Sequence, residues 1–392
     1  MSATKATHQL TKQHNRDLVL KTIFEHETIS RAEIARLTQL TRTTVSEVVS
    51  GLLSEGLVKE VGLGSSIGGK PSILLSLVAD SRYLIGVNLA LNRFIGSVVN
   101  LRGEIKRTVE QPIQANDGRK AIQLVYRILD ELMKERWKSL VGIGVGAPGL
   151  IDTRAGVVVN AVNLEWQDLP LAHLLEERYR LPVRILNDSQ ATAIGEFVYG
   201  DQRPGDNLIV VNASHGIGAG ILINGRLFQG DGGSAGEIGH VFVEDDGQLC
   251  RCGRRGCLET LAGGWAILQA AQRLPSLSTV TALDALETKF YEGDPSVKEI
   301  VLQAGRHLGT AIGGLVGTLN IKRVILNGDM TRFGGPWLEA VREAMSRAAL
   351  GRMVQETQLE IGKLDYRACL LGSSAYLLLD DYSLLFLQKE KP

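Results

Sequence analysis

The 392-residue chain contains 43 Lys and Arg residues and 43 Asp and Glu residues, so its formal net charge of zero identifies no acidic or basic partner. A chain of this length exceeds one ordinary hydrophobic core, which predicts two or three domains. No run of about 18 apolar residues occurs and the first residues are polar, without the apolar core of a signal peptide. We therefore expect a cytoplasmic protein with no membrane span.

The first 80 residues have the pattern of a helix-turn-helix followed by a wing. Residues 14–26 show helical apolar periodicity, Ser30-Arg-Ala-Glu33 forms a capping box for a second helix, and Thr41 begins a third. Two predicted strands, 57–61 and 72–77, flank a glycine-rich segment. This order predicts a winged helix-turn-helix domain over residues 1–80.

The exposed face of the third predicted helix is suited to double-stranded operator DNA. Its Arg and short hydroxyl side chains can contact phosphates and base edges in a major groove. The predicted DNA contacts are Arg42, Thr43, Thr44, Ser46 and Ser50 on the helix and Lys70 at the wing tip. The alternative is a protein-interaction module with a solvated polar face, because residues 1–79 hold only nine Lys and Arg against seven Asp and Glu.

Residues 81–392 alternate predicted strands and helices, which indicates an α/β fold. Two such series predict two lobes, roughly 81–200 and 201–392, with a cleft between them and the last helix packing back on the first lobe. Asn187 and Asp188 follow a predicted strand, and ligands in α/β folds bind at the carboxyl ends of strands. Alternatively, Asp188 or Ser189 would cap the next helix, predicted to start near Ala191.

A cluster of soft ligands lies between residues 237 and 259. Three of the four cysteines and one of the seven histidines fall there, namely His240, Cys250, Cys252 and Cys257. Four such ligands are typical of a closed, tetrahedral, structural Zn²⁺ site. Free thiols or a disulfide are the alternative, but cytosolic disulfides are rare. Glu237 and Glu259 frame the cluster, which indicates that the metal positions a ligand site.

Six further segments match those of one known family: Gly146-Ala-Pro-Gly149, Asn163-Leu-Glu-Trp166, Leu186-Asn-Asp188, Gly216-Ile-Gly-Ala-Gly220, Gly236-Glu-Ile-Gly-His240 and Cys250-Arg-Cys-Gly-Arg-Arg-Gly-Cys257-Leu-Glu259. In these segments the chain resembles the ROK family (repressors, open reading frames, kinases). Its N-terminal domain resembles that of the family's repressors of sugar and amino-sugar genes, of the N-acetylglucosamine and xylose type. The resemblance implies a two-lobed actin/hexokinase-like ROK domain behind the winged helix-turn-helix, assembled as a homodimer or homotetramer.

The resemblance also assigns residues. It implies that His240, Cys250, Cys252 and Cys257 bind structural zinc. It further implies that a sugar or sugar phosphate contacts Asn163, Asn187, Asp188, Glu237, His240 and Glu259, with Asp188 at the position of the kinase base. Trp166 is expected in the core, and His215 either in the cleft or on a surface loop.

Departures from the kinase pattern favour a sensor over an enzyme. The phosphate loop of family kinases, D-x-G-G-T-K, is replaced here by Asn88-Leu-Ala-Leu-Asn-Arg93. The second loop reads Ser214-His215-Gly216-Ile-Gly218, and a single glycine remains at Asn327-Gly328. Glycines let backbone N–H groups approach phosphate oxygens, so their loss should abolish phosphoryl transfer. We expect a sugar-responsive transcriptional repressor and no catalytic residues; the alternative is an ATP-dependent sugar kinase with an accessory DNA-binding domain.

Overall fold

A computed structural model describes residues 8–64, 71–113, 118–200 and 207–380. Lys70, the predicted wing contact, lies outside these ranges. None of the helices in the described ranges combines the length and the apolar character needed to cross a bilayer. The N-terminal part consists of α1 (His8–Phe24), β1 (Ile29–Ser30), α2 (Arg31–Thr38), α3 (Arg42–Ser54), β2 (Val58–Leu63) and β3 (Ile73–Leu77).

Local hydrogen bonds define the ends of these helices. The Ser30 hydroxyl accepts a hydrogen bond from the Glu33 N–H at the start of α2, and Thr41 does the same for Thr44 at the start of α3. Both predicted caps are confirmed. The left-handed backbone of Gly56 follows α3, and β1, β3 and β2 then pair as an antiparallel sheet that forms the wing.

The first lobe is built on a five-stranded sheet in the order β11-β7-β4-β5-β6. Strands β11, β7 and β4 are parallel, while β4, β5 and β6 form an antiparallel meander. Its elements are β4 (Tyr83–Leu89), β5 (Arg93–Asn100), β6 (Ile105–Pro112), α4 (Gly118–Leu132), β7 (Leu140–Ala147), β8 (Leu150–Asp152), β9 (Val157–Ala161), β10 (Trp166–Leu169), α5 (Leu171–Tyr179), β11 (Val183–Asn187) and α6 (Asp188–Tyr199).

Strands β8, β9 and β10 form a separate antiparallel sheet that the sequence did not predict. Trp166 in β10 is buried, as predicted, and its indole N–H donates to the Gly118 carbonyl at 2.9 Å. The chain must reverse sharply before β8 to enter this sheet. Gly149 makes that turn with a φ of 88°, and a β-carbon there would lie 2.2 Å from the Asn160 carbonyl oxygen.

The second lobe is built on a five-stranded sheet in the order β14-β13-β12-β15-β16, with β12, β15 and β16 parallel. Its long helices cover this sheet and bury a large apolar core. The elements are β12 (Leu208–Ala213), β13 (Ile217–Ile223), β14 (Arg226–Leu227), α7 (Glu259–Ala262), α8 (Gly264–Gln272), α9 (Leu283–Glu292), α10 (Pro295–Leu319), β15 (Arg323–Asn327), α11 (Gly334–Ala348), α12 (Gly351–Glu356), β16 (Gln358–Ile361) and α13 (Arg367–Asp380).

The helices α6 and α13 lie between the two large sheets. Helix α13 contacts β4 and β7 of the first lobe, and α6 contacts β12 and β13 of the second lobe. The two helices cross with their backbones in contact, because β-carbons at Gly195 and Gly372 would come within about 2.0 and 1.7 Å of the opposite helix's carbonyl oxygens. Only glycine permits so close a crossing.

Candidate functional site

A cleft of about 910 Å³ opens between the lobes, and residues from both lobes line it. All six residues predicted to bind a sugar lie on its wall, although they come from segments far apart in the chain. They are Asn163, Asn187, Asp188, Glu237, His240 and Glu259. The volume is in the range of pockets that hold small ligands.

Asn187, on the wall of the cleft, fixes the start of α6. It ends β11 and caps α6, because its Oδ1 accepts hydrogen bonds from the N–H groups of Ser189 and Gln190. Its Nδ2 donates to the Gly149 carbonyl at 3.0 Å. The expectation that Asp188 or Ser189 would cap a helix near Ala191 is therefore wrong. The helix begins at Asp188, one residue after an Asn whose short amide satisfies the first free N–H groups.

Asp188 projects from the first turn of α6 at the edge of the cleft. Its Oδ1 accepts from the Ser189 N–H at 2.7 Å and from the Ser189 hydroxyl at 3.2 Å. Burial raises the pKa of Asp188 to about 6, these hydrogen bonds oppose that rise, and the charge of Glu259 adds to it. A carboxyl group with this pKa is mostly ionised at neutral pH and can accept a hydrogen bond from a ligand hydroxyl.

Glu237 and Glu259 supply two more carboxyl groups, with different surroundings. Glu259 is buried, and its two oxygens accept from the Ile217 N–H and the Trp265 indole N–H, both at 3.1 Å. Within the described ranges, the one contact recorded for the Glu237 carboxylate is His240 Nε2, at 4.0 Å. Burial, with the charges of Asp188 and Glu259, raises the pKa of Glu237 to about 7. Glu237 is therefore the carboxyl group with the most capacity left for a ligand.

A compact ligand set lies beside these carboxyl groups. One ligand atom from each of His240, Cys250, Cys252 and Cys257 lies within 4.8 Å of the other three. The Cys252 and Cys257 sulfurs are 3.6 Å apart, and His240 Nδ1 is 3.6 Å from the Cys250 sulfur. In tetrahedral Zn²⁺ with Zn–S bonds of about 2.3 Å, the sulfurs would be about 3.8 Å apart. The cluster has the composition and spacing of a metal site.

The cluster and the cleft share His240. Its Nδ1 faces the cysteine sulfurs, whereas its Nε2 faces Glu237. A metal-bound imidazole keeps its second nitrogen for a neighbouring group, and that nitrogen orients the ring. The turn Ile238–His240 that carries the histidine packs on β13, where a β-carbon at Gly239 would lie 2.3 Å from the Ile217 carbonyl oxygen.

Two cleft residues were missed or left open by the sequence, Arg251 and His215. Arg251, between two cysteines of the cluster, donates to Asn163 Oδ1 of the other lobe at 3.2 Å and lies 4.9 Å from the centre of the Trp265 ring. It also contacts His215 Nε2, so His215 lies in the cleft and not on an outer loop. Burial and Arg251 lower the pKa of His215 to about 4. No sequence pattern relates Arg251 to Asn163, because 88 residues separate them.

The cleft is also lined by segments 88–93 and 214–218, which were predicted to depart from the kinase phosphate loops, and the part around Arg93 and Ser214 is called its other end below. Arg93 there pairs with Glu110 at 3.3 Å, and its guanidinium lies 5.6 Å from the centre of the Tyr366 ring. The Ser214 hydroxyl accepts from the Asp329 N–H at 3.0 Å and donates to Asn212 Oδ1 at 3.3 Å. Arg93 and Ser214 thus each hydrogen-bond to other groups of the protein.

The predicted DNA-contacting residues other than Lys70 lie on α3. Arg42, Thr43, Ser46 and Ser50 are exposed, while Thr44 is half-buried. The Thr44 hydroxyl lies 2.9 Å from that of the cap residue Thr41, and the Ser50 hydroxyl donates to the Ser46 carbonyl. The opposite face of α3 is buried through Val45, Val49 and Leu52. The helix therefore presents one polar face to solvent.

Comparison with known proteins relates the whole chain to repressors. The ROK family model matches residues 84–380. The xylose repressor of Caldicellulosiruptor bescii is 32% identical over 390 residues, which cover 95% of this chain and 97% of the relative. The xylose repressor of Bacillus subtilis is 30% identical, with 93% and 94% covered. The DNA-binding transcriptional dual regulator NagC of Escherichia coli is 29% identical, with 92% and 91% covered.

Solved structures show the same architecture. A ROK family transcriptional regulator, a homologue of the E. coli MLC protein, superposes with a TM-score of 0.83 at 24% identity and covers 96% of this chain and 98% of its own. A ROK family glucokinase from Streptomyces griseus, solved with glucose and AMPPNP, superposes with a TM-score of 0.67 at 26% identity. It covers 75% of this chain and 98% of its own. The regulator thus shares the fold of nearly the full chain.

Proposed function

Since this chain belongs to the ROK family, we propose that it is a sugar-responsive transcriptional repressor of carbohydrate-utilisation genes. In this proposal the winged helix-turn-helix binds double-stranded operator DNA, and a sugar or sugar phosphate binds in the cleft. The relatives named as repressors match more than nine-tenths of this chain, including its N-terminal domain. The protein would act in the cytoplasm, where such DNA is found.

The observation that carries the ligand half of the proposal is the convergence of Asp188, Glu237 and Glu259 in one cleft. A sugar presents a ring of hydroxyl donors, and carboxylates on rigid elements can accept from several of them. A buried acceptor left unpaired is costly, so such a cleft discriminates among sugars by their hydroxyl pattern. Asn163 and His240 would complete the contacts, while Asn187 would mainly orient Asp188.

The DNA half of the proposal rests on α3. Its Arg42, Thr43, Ser46 and Ser50 side chains face solvent, and Thr44 and Lys70 would add contacts at the helix start and the wing tip. In a homodimer or homotetramer, two such helices would read half-sites about one or two helical turns apart. Sugar binding would change the relative position of the lobes and so favour one arrangement of the paired DNA-binding domains.

We further propose that the metal cluster holds structural zinc. His240, Cys250, Cys252 and Cys257 would bind the ion, and four protein ligands leave no open position for catalysis. Bound zinc would supply a fixed tetrahedral link between the segments that carry Glu237 and Glu259. The bound ion would hold the His240 ring in place. On the cleft side, the ring would then present Nε2 to Glu237 or to a ligand hydroxyl.

We propose that the protein is not an enzyme, because segments 88–93 and 214–218 lack glycines through which kinase loops would bring backbone N–H groups to phosphate oxygens. The second candidate is a sugar kinase, which the Asp188 carboxyl group, with its pKa of about 6, favours as a base. A coupled assay with ATP and glucose, N-acetylglucosamine, N-acetylmannosamine or xylose separates the two. Turnover that disappears in Asp188→Asn would establish the kinase.

The DNA proposal is tested by fluorescence anisotropy with DNA from upstream of the protein's own gene. We expect binding at moderate salt that exceeds binding to shuffled DNA of equal length by at least about 10³-fold. Arg42→Ala should weaken that binding by about 1–3 kcal/mol. Arg352→Ala, an exposed arginine of α12 in the second lobe, is the control and should have no effect. Equal binding to both DNAs would contradict the proposal.

The ligand proposal is tested by a thermal-shift screen of neutral sugars, their phosphates and ATP on the full-length protein. A ligand at 100 times its Kd stabilises the folded state by about 2.7 kcal/mol, which is readily seen as a rise in Tm. One sugar or sugar phosphate should raise the Tm and identify the effector. If no sugar did so while ATP did, the cleft would belong to a nucleotide.

A further inference from the structure

Helix α6 runs from the cleft to the N-terminal domain. Its first residue, Asp188, lines the cleft, and its last residue, Tyr199, packs into the core that the N-terminal domain shares with the first lobe. That shared core includes Leu20 of α1 and Leu84 of β4, both fully buried. A helix of 12 residues rises about 18 Å. One rigid element therefore connects the candidate ligand site to the DNA-binding domain.

Tyr199 contacts the turn between β5 and β6. A β-carbon at Gly103 would lie 2.7 Å from the Tyr199 ring, so the ring rests directly on this turn. Among the described residues, the buried Tyr199 hydroxyl has no hydrogen-bond partner. Burial raises the pKa of Tyr199. Leaving a buried hydroxyl without a hydrogen bond costs free energy. The packing of the Tyr199 ring on the Gly103 turn must offset that cost, so packing holds the ring in place.

Arg102, next to Gly103 in that turn, is bonded to the end of α1. Its guanidinium donates to the Phe24 carbonyl at 2.7 Å and to the His26 carbonyl at 2.9 Å, and lies 5.8 Å from the centre of the Phe24 ring. The last carbonyls of a helix have no partner within the helix, and a cation at that end is favoured by the helix dipole. Arg102 thus fastens the first lobe to the first helix of the DNA-binding domain.

Helix α6 is also fixed to the second lobe. The buried carboxylate of Glu196 accepts from Asn327 Nδ2 at 2.8 Å, at the end of β15, and from the Leu364 N–H at 3.3 Å, before α13. A β-carbon at Gly220 of β13 would lie 2.3 Å from the Ala193 side chain. Because α6 is in tight contact with the second sheet, a change in the angle between the lobes should move its Tyr199 end.

We propose that Tyr199 and Arg102 are positioning residues that transmit the state of the cleft to α1, and through it to the DNA-reading helix α3. The path runs from Asp188 along α6 to Tyr199, across the Gly103 turn to Arg102, and on to the carbonyls that end α1. The inference rests on the proposed function for its biological meaning. It assigns a role to two residues that touch neither sugar nor DNA.

The first experiment measures the physical connection and needs no effector. Hydrogen exchange of the full-length, zinc-loaded protein is followed over residues 18–26 of α1. Asp188→Asn should change exchange there at least about twofold, and the same substitution in an Arg102→Met background should have no such effect. Arg107→Met is the matched control, because Arg107 of β6 pairs with Glu131 and Glu135, at and just beyond the end of α4, and its loss should leave the response intact.

A merely structural role for Arg102 would be seen differently. Arg102→Met would then speed hydrogen exchange in α1. The single substitution Asp188→Asn, however, would leave exchange in α1 unchanged, and that result would overturn the inference. Arg102→Lys keeps the charge and one donor group, and should retain part of the response. If Arg102→Met does not fold, Tyr199→Phe and Tyr199→Leu substitute for it, and Leu should reduce the response more than Phe.

The second experiment measures coupling between ligands, using D-xylose and N-acetylglucosamine as probes and upstream DNA as the target. In the natural protein we expect the sugar that raises the Tm to change the Kd for DNA by roughly 5–150-fold. In Arg102→Met both ligands should still bind, but the factor should fall to below about twofold. An unchanged factor would overturn the inference. If neither sugar nor DNA binds the natural protein, the proposed function fails, and the exchange experiment alone decides the inference.

Discussion

The two ends of the cleft differ in what their polar groups do. At the end that carries the residues predicted to bind a sugar (the sugar end), the Glu237 carboxylate makes one distant contact, with His240, and the Asp188 carboxylate bonds only to the adjacent Ser189 among the described residues. At the other end, Arg93 and Ser214 hydrogen-bond to neighbouring protein groups. The Asp188 and Glu237 carboxylates have unused acceptor capacity for ligand hydroxyls, whereas Arg93 and Ser214 offer a ligand only the donors and lone pairs that their protein contacts leave free. The difference favours the proposed receptor over the kinase alternative.

The largest effect is expected when the metal cluster beside the sugar end is disrupted. Structural zinc contributes roughly 10–16 kcal/mol of binding free energy in zinc-finger peptides. Cys252→Ser should therefore lower zinc content well below one ion per chain, measured by elemental analysis, and abolish the sugar-dependent rise in Tm. DNA binding, which depends on the N-terminal domain, should be weakened less.

Cys369→Ser is the control for the zinc prediction. Cys369 is buried in α13, outside the ligand set, so the same substitution there should leave zinc content unchanged. Equal zinc in the natural protein and in Cys252→Ser would show that the cluster is four unligated side chains.

The next largest effect concerns Asp188. Asp188→Asn replaces a charged acceptor with a neutral amide of the same shape, and hydrogen bonds to charged groups contribute about 1.5–3 kcal/mol. Sugar affinity, measured by calorimetry, should fall by roughly 10- to 150-fold. Asp168→Asn, at an exposed position in β10, should leave affinity unchanged. A loss of similar size in both variants would place the sugar elsewhere.

The pH dependence of stability gives a smaller, independent measure of the same carboxyl group. Its pKa is about 6 in the folded protein and 3.8 in the unfolded chain. Between these values the folded state binds more protons, so the free energy of unfolding falls as pH rises from about 4 to about 6. Above pH 6 the ionised Asp188 lowers the free energy of unfolding by an amount on the order of 1–3 kcal/mol.

Asp188→Asn should remove this slope and make the protein more stable than the natural protein at pH 7. Urea denaturation at several pH values between 5 and 7.5 measures the free energy of unfolding of both proteins. Any loss of metal that the two proteins share cancels in the difference between these free energies. A constant difference over this range would mean that Asp188 titrates as an ordinary exposed carboxyl group.

The smallest expected effect is at the other end of the cleft. Because segment 88–93 has no glycine to bring backbone N–H groups to phosphate oxygens, ATP or AMPPNP at millimolar concentration should leave the Tm unchanged, with or without the sugar. Arg93→Lys should not alter this result. A nucleotide-dependent rise in Tm would remove the distinction between the two ends and restore the kinase as the leading function.

The sequence by itself determined the features that short segments control. Ser30 and Thr41 cap their helices, and the apolar spacing of α3 buries Val45 and Val49, because these hydrogen bonds and periodicities span only a few residues. The spacing of Cys250, Cys252 and Cys257 likewise brings the sulfurs together within one loop. No local pattern relates the residues of the cleft to one another, and they were predicted from the resemblance to the ROK family.

Only the tertiary structure decided which side chains still have free bonding capacity. It made Asn187 the cap of α6 and left Asp188 at the edge of the cleft, it joined Arg251 to Asn163 across 88 residues, and it fastened Arg102 to the end of α1. Contacts of this kind depend on how sheets and helices pack against one another. That packing is set by the burial of whole apolar faces, such as the core shared by α1 and the first lobe, which no short stretch of sequence encodes.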